Sequence, residues 1–79
     1  MRRFGEKLHS LRMQHKFTLK ELAVALGHTA HGYISEIEAG KKQPTVGMVL
    51  KVSRLFKVTT DQLIKDELEL DVENFKRLE

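Results

Sequence analysis

The chain has 79 residues, no cysteine and a formal net charge of +3, with 41% hydrophobic and 32% charged residues. This length allows one small domain with a single core, and the composition is that of a folded chain rather than a disordered one. The absence of cysteine excludes disulfide scaffolds and thiolate metal sites. The sequence also lacks a long apolar run and a signal-peptide pattern, which predicts a cytoplasmic protein that does not enter a membrane.

The charges divide the chain into two parts. Residues 1–65 contain 12 Lys and Arg against 5 Asp and Glu, a net +7, whereas residues 66–79 contain 2 against 6, a net −4. A basic body favours a polyanion such as nucleic acid as partner, although a solvated Lys-rich surface would give the same count. We therefore predict a basic domain over residues 1–65 and an acidic tail over residues 66–79.

Apolar residues at helical spacing predict an all-α fold of five short helices. The first helix runs from about residue 2 or 3 to residue 15, and its apolar residues Phe4, Leu8 and Leu11 stand at i, i+4 and i+7. The second helix covers residues 19–26. It is about two turns long, so it depends on tertiary packing for its stability.

Threonines predict three of the helix starts. Thr18 and Thr59 are each followed three residues later by Glu21 or Gln62, which is the pattern of a capping box. Thr45 is the predicted N-cap of the fourth helix. The fifth helix then follows Thr59 and extends through residues 63–65.

The third helix lies between Gly27 and Gly40, two positions where a helix ends and the chain must turn. It reaches residue 39, with Thr29 as a candidate N-cap and with Ile34 and Ile37 as its apolar pair.

The fourth helix covers residues 46–57. Helical spacing predicts an inward face that consists of Val46, Val49, Leu50, Ser53 and Phe56.

The acidic tail carries an apolar stripe that fits two kinds of structure. Its members are Leu68, Leu70, Val72 and Phe75. Strict alternation over residues 67–73 is typical of a strand, whereas the spacing of Ile64, Leu68, Val72 and Phe75 is that of a helix, which the residue types favour. Because five short helices offer this stripe no obvious cover, we predict that it mediates dimerisation or binds a partner.

Two short helices joined by a glycine-containing turn form the pattern of a DNA-binding helix-turn-helix. The motifs that carry it are Leu11-Arg12, Thr18-Leu19-Lys20-Glu21-Leu22-Ala23, Leu26-Gly27, Tyr33-Ile34-Ser35, Ile37-Glu38-Ala39-Gly40, Pro44-Thr45, Val58-Thr59 and Asp61-Gln62-Leu63. Over about residues 4–65 they resemble the Xre-type family of phage repressors and Cro proteins. The resemblance implies a compact five-helix repressor-like domain whose third helix lies in the major groove of double-stranded DNA.

The resemblance also implies two sets of DNA contacts. Base contacts fall on residues at the start of the third helix, namely Thr29, Ala30, His31, Gly32, Tyr33, Ser35 and Glu36. Phosphate contacts fall on Thr18, Lys20, Lys41, Lys42 and Gln43. His31 is the favoured base reader, because an imidazole can donate to or accept from a purine edge. Glu36 would accept from cytosine N4, or else pair with a neighbouring lysine.

The resemblance gives two further residues an architectural role, and it leaves two roles open for Tyr33. Arg12 and Glu38 stand where the family forms a partly buried salt bridge between the first and third helices, which would orient the third helix. Tyr33 either reaches the groove or a phosphate with its hydroxyl, or packs its ring under the motif.

The turn of the motif departs from the family pattern. Six residues rather than five separate Gly27 from Ile34, so that Gly32 falls inside or at the start of the third helix. This helix would then begin near His31, and Gly32 would let the backbone approach DNA closely.

No pattern of an enzyme, a cofactor site or a metal site is present. His28 and His31 stand at i, i+3 but have no carboxylate beside them in the turn. We predict a homodimeric transcriptional regulator that reads a palindromic operator. The alternative is an antitoxin or a protein–protein interaction module with the same fold, in which the tail stripe remains free for another protein.

Overall fold

The computed structural model describes residues 3–27 and 31–66. This part contains five α-helices and no strand: α1 (Phe4–Gln14), α2 (Leu19–Ala25), α3 (His31–Glu38), α4 (Val46–Phe56) and α5 (Thr60–Ile64). The predicted all-α five-helix fold is confirmed. None of these helices has the length and apolarity needed to cross a bilayer. The tail stripe of Leu68, Leu70, Val72 and Phe75 lies outside the described residues, as do Thr29 and Ala30.

The predicted N-caps are confirmed at α2, α4 and α5. The hydroxyl of Thr18 accepts from the backbone N–H of Glu21 at 3.0 Å, and the Glu21 carboxylate accepts from the Thr18 N–H at 2.8 Å. Thr59 and Gln62 form the same reciprocal pair, and the Thr45 hydroxyl accepts from the third residue of α4 at 3.1 Å. These bonds satisfy backbone donors that the first turn of a helix leaves without partners.

Glycines form the turns after α2 and α3. Gly27 and Gly40 have φ angles of 79° and 78°, a left-handed conformation that strains residues with a side chain. The two helices therefore end close to Gly27 and Gly40, as the sequence predicts.

One core joins all five helices. Its buried apolar residues are Phe4, Leu8, Leu11, Leu22, Ala23, Leu26, Ile34, Ile37, Met48, Val49, Val52, Phe56, Val58 and Leu63. The predicted inward face of α4 was wrong in part, because Val46 and Leu50 are 78% and 40% exposed while Met48 and Val52 are buried. The helix carries apolar residues on more than one face, so periodicity alone does not select the buried one.

The N-terminal turn of α1 holds the C-terminal end of α5. The buried Lys7 ammonium donates to the carbonyl of Gln62 at 2.5 Å and to that of Lys65 at 2.8 Å. The backbone N–H and the guanidinium of Arg3 donate to the carboxylate and the carbonyl of Asp66, respectively, at 2.9 and 2.7 Å. A cation suits the carbonyl end of a helix, and these bonds also satisfy the buried ammonium.

Candidate nucleic-acid interface

The start of α3 presents a polar surface. His31, Gly32 and Ser35 are exposed and Glu36 is half-buried. Ile34 and Ile37, on the other side of the helix, are almost completely buried in the core. The apolar pair thus fixes which side of α3 faces outward. The described part of α3 starts at His31, and because residues 28–30 lie outside the described residues, the beginning of this helix near His31 stays a prediction.

Tyr33, Glu36 and Lys42 form a cluster at the edge of this surface. The Lys42 ammonium lies 3.5 Å from the Glu36 carboxylate and 5.8 Å from the centre of the Tyr33 ring. The ring is half-buried and packs against the core. The structure therefore contains both the Glu36–lysine pair and the packed Tyr33 ring that were the alternatives to direct base contact. An exposed ion pair of this kind is worth about 0–1 kcal/mol, so Lys42 can exchange Glu36 for another anion at little cost.

The loop between α3 and α4 is held against the end of α3. The backbone N–H groups of Lys41 and Lys42 donate to the carbonyl of Glu36 at 2.8 and 3.4 Å. These bonds bring the exposed basic loop of Lys41, Lys42 and Gln43 next to the polar surface of α3. The loop is therefore tied to the end of α3 by backbone hydrogen bonds.

A second group of predicted phosphate contacts lies at the start of α2. Thr18 and Lys20 are exposed there, and the Thr18 hydroxyl is engaged in the capping box. Lys20 forms no salt bridge within residues 3–27 and 31–66, and neither does Lys41 in the α3–α4 loop. Both ammonium groups are available to an external anion.

Arg12 and Glu38 join α1 to the end of α3. The Arg12 guanidinium donates through Nε and Nη2 to the two carboxylate oxygens of Glu38, at 2.8 and 3.1 Å. Its Nη1 donates to the carbonyl of Phe17 at 3.1 Å, in the turn that leads to α2. The two side chains are only 13% and 8% exposed. One guanidinium therefore links α1, the α1–α2 turn and α3.

Sequence reasoning missed a close approach between α1 and α3 at Gly5. A Cβ atom at this position would lie 2.2 Å from the carbonyl oxygen of Ile37 and 3.0 Å from that of Glu38. The available signal was a lone glycine within the apolar pattern of the first helix, which often indicates a packing requirement. Gly5 sets the distance between α1 and the backbone of α3.

Comparisons with known proteins agree with this geometry. The sequence model of a family described as Helix-turn-helix matches residues 8–63. The chain is also 36% identical over 62 residues to the SPbeta prophage-derived uncharacterized HTH-type transcriptional regulator YonR of Bacillus subtilis. The chain belongs to the helix-turn-helix family. The aligned region is 78% of this helix-turn-helix chain but 56% of the relative, so the chain spans little more than half of that protein's length.

A solved structure shows the same helix-turn-helix fold. The N-terminal DNA binding domain of SinR from Bacillus subtilis superposes with a TM-score of 0.76 at 27% sequence identity, covering 87% of this chain and 100% of that domain. The Xre-type resemblance is confirmed. The region matched by the family begins in α1 and ends in α5, so the helix-turn-helix of α2 and α3 lies within a domain of the expected kind.

Proposed function

We propose that this chain is a sequence-specific DNA-binding transcriptional regulator that reads an operator with α3 in the major groove. The observation that carries the proposal is the exposed polar surface of α3, which is flanked in the sequence by the exposed Lys20 and Lys41, neither of which forms a salt bridge within the described residues. Phosphate contacts on both sides of a helix hold it in register while its side chains reach the base edges. The names of the similar proteins, a transcriptional regulator and a DNA binding domain, support the same function.

The residues of the polar surface have different roles in this proposal. His31 and Ser35 stand one turn apart on the exposed side of α3 and contact base edges. Glu36 accepts from a cytosine amino group when Lys42 leaves it for a phosphate. The exchange gives Glu36 a selective role, because a carboxylate without such a donor is repelled by the DNA.

The regulator acts as a homodimer on a palindromic site, with half-sites about 34 Å apart along the DNA. Two modest half-site contacts give useful affinity when they are linked, and two-fold dimers are the commonest assembly of soluble proteins. The apolar stripe of the acidic tail supplies the dimer contact.

Selection of bound sequences from a random DNA pool tests sequence specificity, and the salt dependence of binding tests the interface. If about eight phosphates are neutralised per dimer, the logarithm of affinity falls against the logarithm of salt concentration with a slope near −7. Lys41→Ala should reduce this slope by about 2 units per dimer, since each protomer loses one contact.

Lys65→Ala is the matched control for Lys41→Ala. Lys65 is an exposed lysine at the end of α5, where it lies 3.8 Å from the Asp61 carboxylate. Its removal should leave the slope unchanged. A slope flatter than about −2 for the unmodified chain would contradict the interface, and failure to enrich any sequence would favour a protein–protein interaction module.

Gly32→Ala is expected to raise stability and to lower operator affinity. A Cβ atom at this position meets none of the described residues within 4 Å, and alanine stabilises a helix by about 0.5–1 kcal/mol relative to glycine. The added methyl group would stand where the backbone of α3 approaches the DNA. Thermal unfolding and a titration with the selected DNA measure the two effects. A higher melting temperature with unchanged affinity would show that the backbone does not come close to the DNA here.

A further inference from the structure

An apolar groove lies between α4 and α5. Its volume is about 280 Å³, and its lining residues are Pro44, Val46, Val49, Leu50, Thr60 and Ile64. Val46 and Leu50, the two residues of α4 that the pattern assigned to the core, are 78% and 40% exposed here. The volume is just below the range of about 300–1,000 Å³ that is typical of small-molecule sites. With one hydroxyl and no charge in its lining, the groove suits aliphatic side chains.

We propose that the apolar stripe of residues 67–79 from a second copy of the chain occupies this groove, and that two chains exchange tails reciprocally. The inference rests on the homodimer of the proposed function and deepens it by naming the surface that the tail contacts. Leu68 and Val72 belong to the stripe in both the helix and the strand pattern, so the match does not depend on that choice.

The acidic tail begins close in sequence to residues that line the groove. Thr60 and Ile64 line the groove, whereas Arg3 of the α1 end binds Asp66 by two hydrogen bonds. Leu68 follows Asp66 by two residues, or about 7 Å of extended chain. We place the tail of a second copy in the groove, rather than the chain's own tail, because the proposed function is that of a homodimer.

Charge favours the tail as the occupant of the groove. Residues 66–79 carry a net −4 and residues 1–65 a net +7. Tail exchange places each acidic segment on the basic domain of the other chain, where the attraction adds to the burial of apolar surface.

Cysteine cross-linking tests which surfaces meet, since the natural chain has no cysteine. Chains with Leu50→Cys are mixed with chains with Val72→Cys under mild oxidation, and a disulfide forms when two Cα atoms come within about 7 Å. The expected main product is the mixed disulfide dimer. Val24→Cys in place of Leu50→Cys is the control, because Val24 is 69% exposed on α2 and does not line the groove; it should give no mixed dimer.

Each other product would overturn the proposal. Self-linked Leu50→Cys chains would show that two grooves meet, and self-linked Val72→Cys chains that two tails meet. An intramolecular disulfide in a monomeric chain with both substitutions would show that the tail covers its own groove. If no mixed dimer forms while the unmodified chain binds its selected DNA, the tail exchange fails and the proposed function stands. If the unmodified chain enriches no sequence from the random DNA pool, that result would instead contradict the proposed function itself.

A second measurement gives the strength of the contact. Leu50→Ser should weaken the dimer by about tenfold per groove, and so by about a hundredfold for two grooves, because part of a leucine side chain no longer becomes buried. Val24→Ser should leave the dimer dissociation constant unchanged. Sedimentation equilibrium measures both, and equal constants for the two variants would overturn the proposal.

Discussion

Arg12→Ala is expected to lower the melting temperature of the domain and its affinity for DNA together. The substitution removes the guanidinium from the Glu38 carboxylate, which is 8% exposed and then keeps the His9 ring nitrogen at 3.0 Å as a partner. Removal of one member of a buried pair costs about 3–5 kcal/mol, and each kcal/mol shifts the melting temperature of a domain this small by about 4–8 °C. A decrease of more than about 10 °C is therefore expected from thermal unfolding. DNA affinity falls because α3 loses its link to α1 and to the α1–α2 turn.

Two further variants separate the charge of Arg12 from its geometry. Arg12→Lys keeps the charge, but a single ammonium cannot reproduce bonds to both Glu38 oxygens and to the Phe17 carbonyl, so an intermediate loss is expected. Arg12→Met combined with Glu38→Leu removes both charges and should recover most of the stability. Loss of DNA binding by Arg12→Ala at an unchanged melting temperature would mean that the guanidinium contacts DNA directly, which contradicts an architectural role.

The sequence predicts those features of this fold that depend on neighbouring residues. The two capping boxes, at Thr18 and Thr59, involve residues three positions apart, and the structure contains both. Gly27 and Gly40 end their helices for an equally local reason. The buried face of α4 is different, because Val46 and Leu50 satisfy helical periodicity as well as Met48 and Val52 do. Packing against the other helices decides between the two sets, and periodicity carries no information about that packing.

In the candidate site, too, some features follow from neighbouring residues and others depend on tertiary packing. The exposed face of α3 follows from the positions of Ile34 and Ile37, so His31 and Ser35 could be named in advance. The contact of Lys42 with Glu36 and Tyr33 depends on the return of the loop to the end of α3, through its bonds to the Glu36 carbonyl. The approach of α1 to α3 at Gly5 joins segments more than thirty residues apart. Such contacts are tertiary, and a pattern within one helix does not reveal them.

Gly5→Ala is expected to destabilise the domain and to displace α3. The new Cβ would lie 2.2 Å from the Ile37 carbonyl oxygen, a backbone atom that cannot rotate away as a flexible side chain can. Overpacking of this kind costs about 1–3 kcal/mol or more, which exceeds the gain of about 0.5–1 kcal/mol in helix propensity. The melting temperature should fall by about 5–15 °C. Operator affinity should fall even where the variant is fully folded, because α3 carries the residues that we propose to read the DNA.

Gly47→Ala is the matched control for Gly5→Ala. Gly5 and Gly47 are each the second residue of an eleven-residue helix, α1 or α4. Among the described residues, a Cβ at residue 47 meets only the Thr45 hydroxyl at 3.8 Å, an ordinary contact, so this variant should gain about 0.5–1 kcal/mol from helix propensity. The same substitution at the same helical position should therefore have opposite effects on stability, and the difference isolates the α1–α3 contact. If both variants have similar melting temperatures and bind the operator equally well, the position of α3 does not depend on its approach to Gly5.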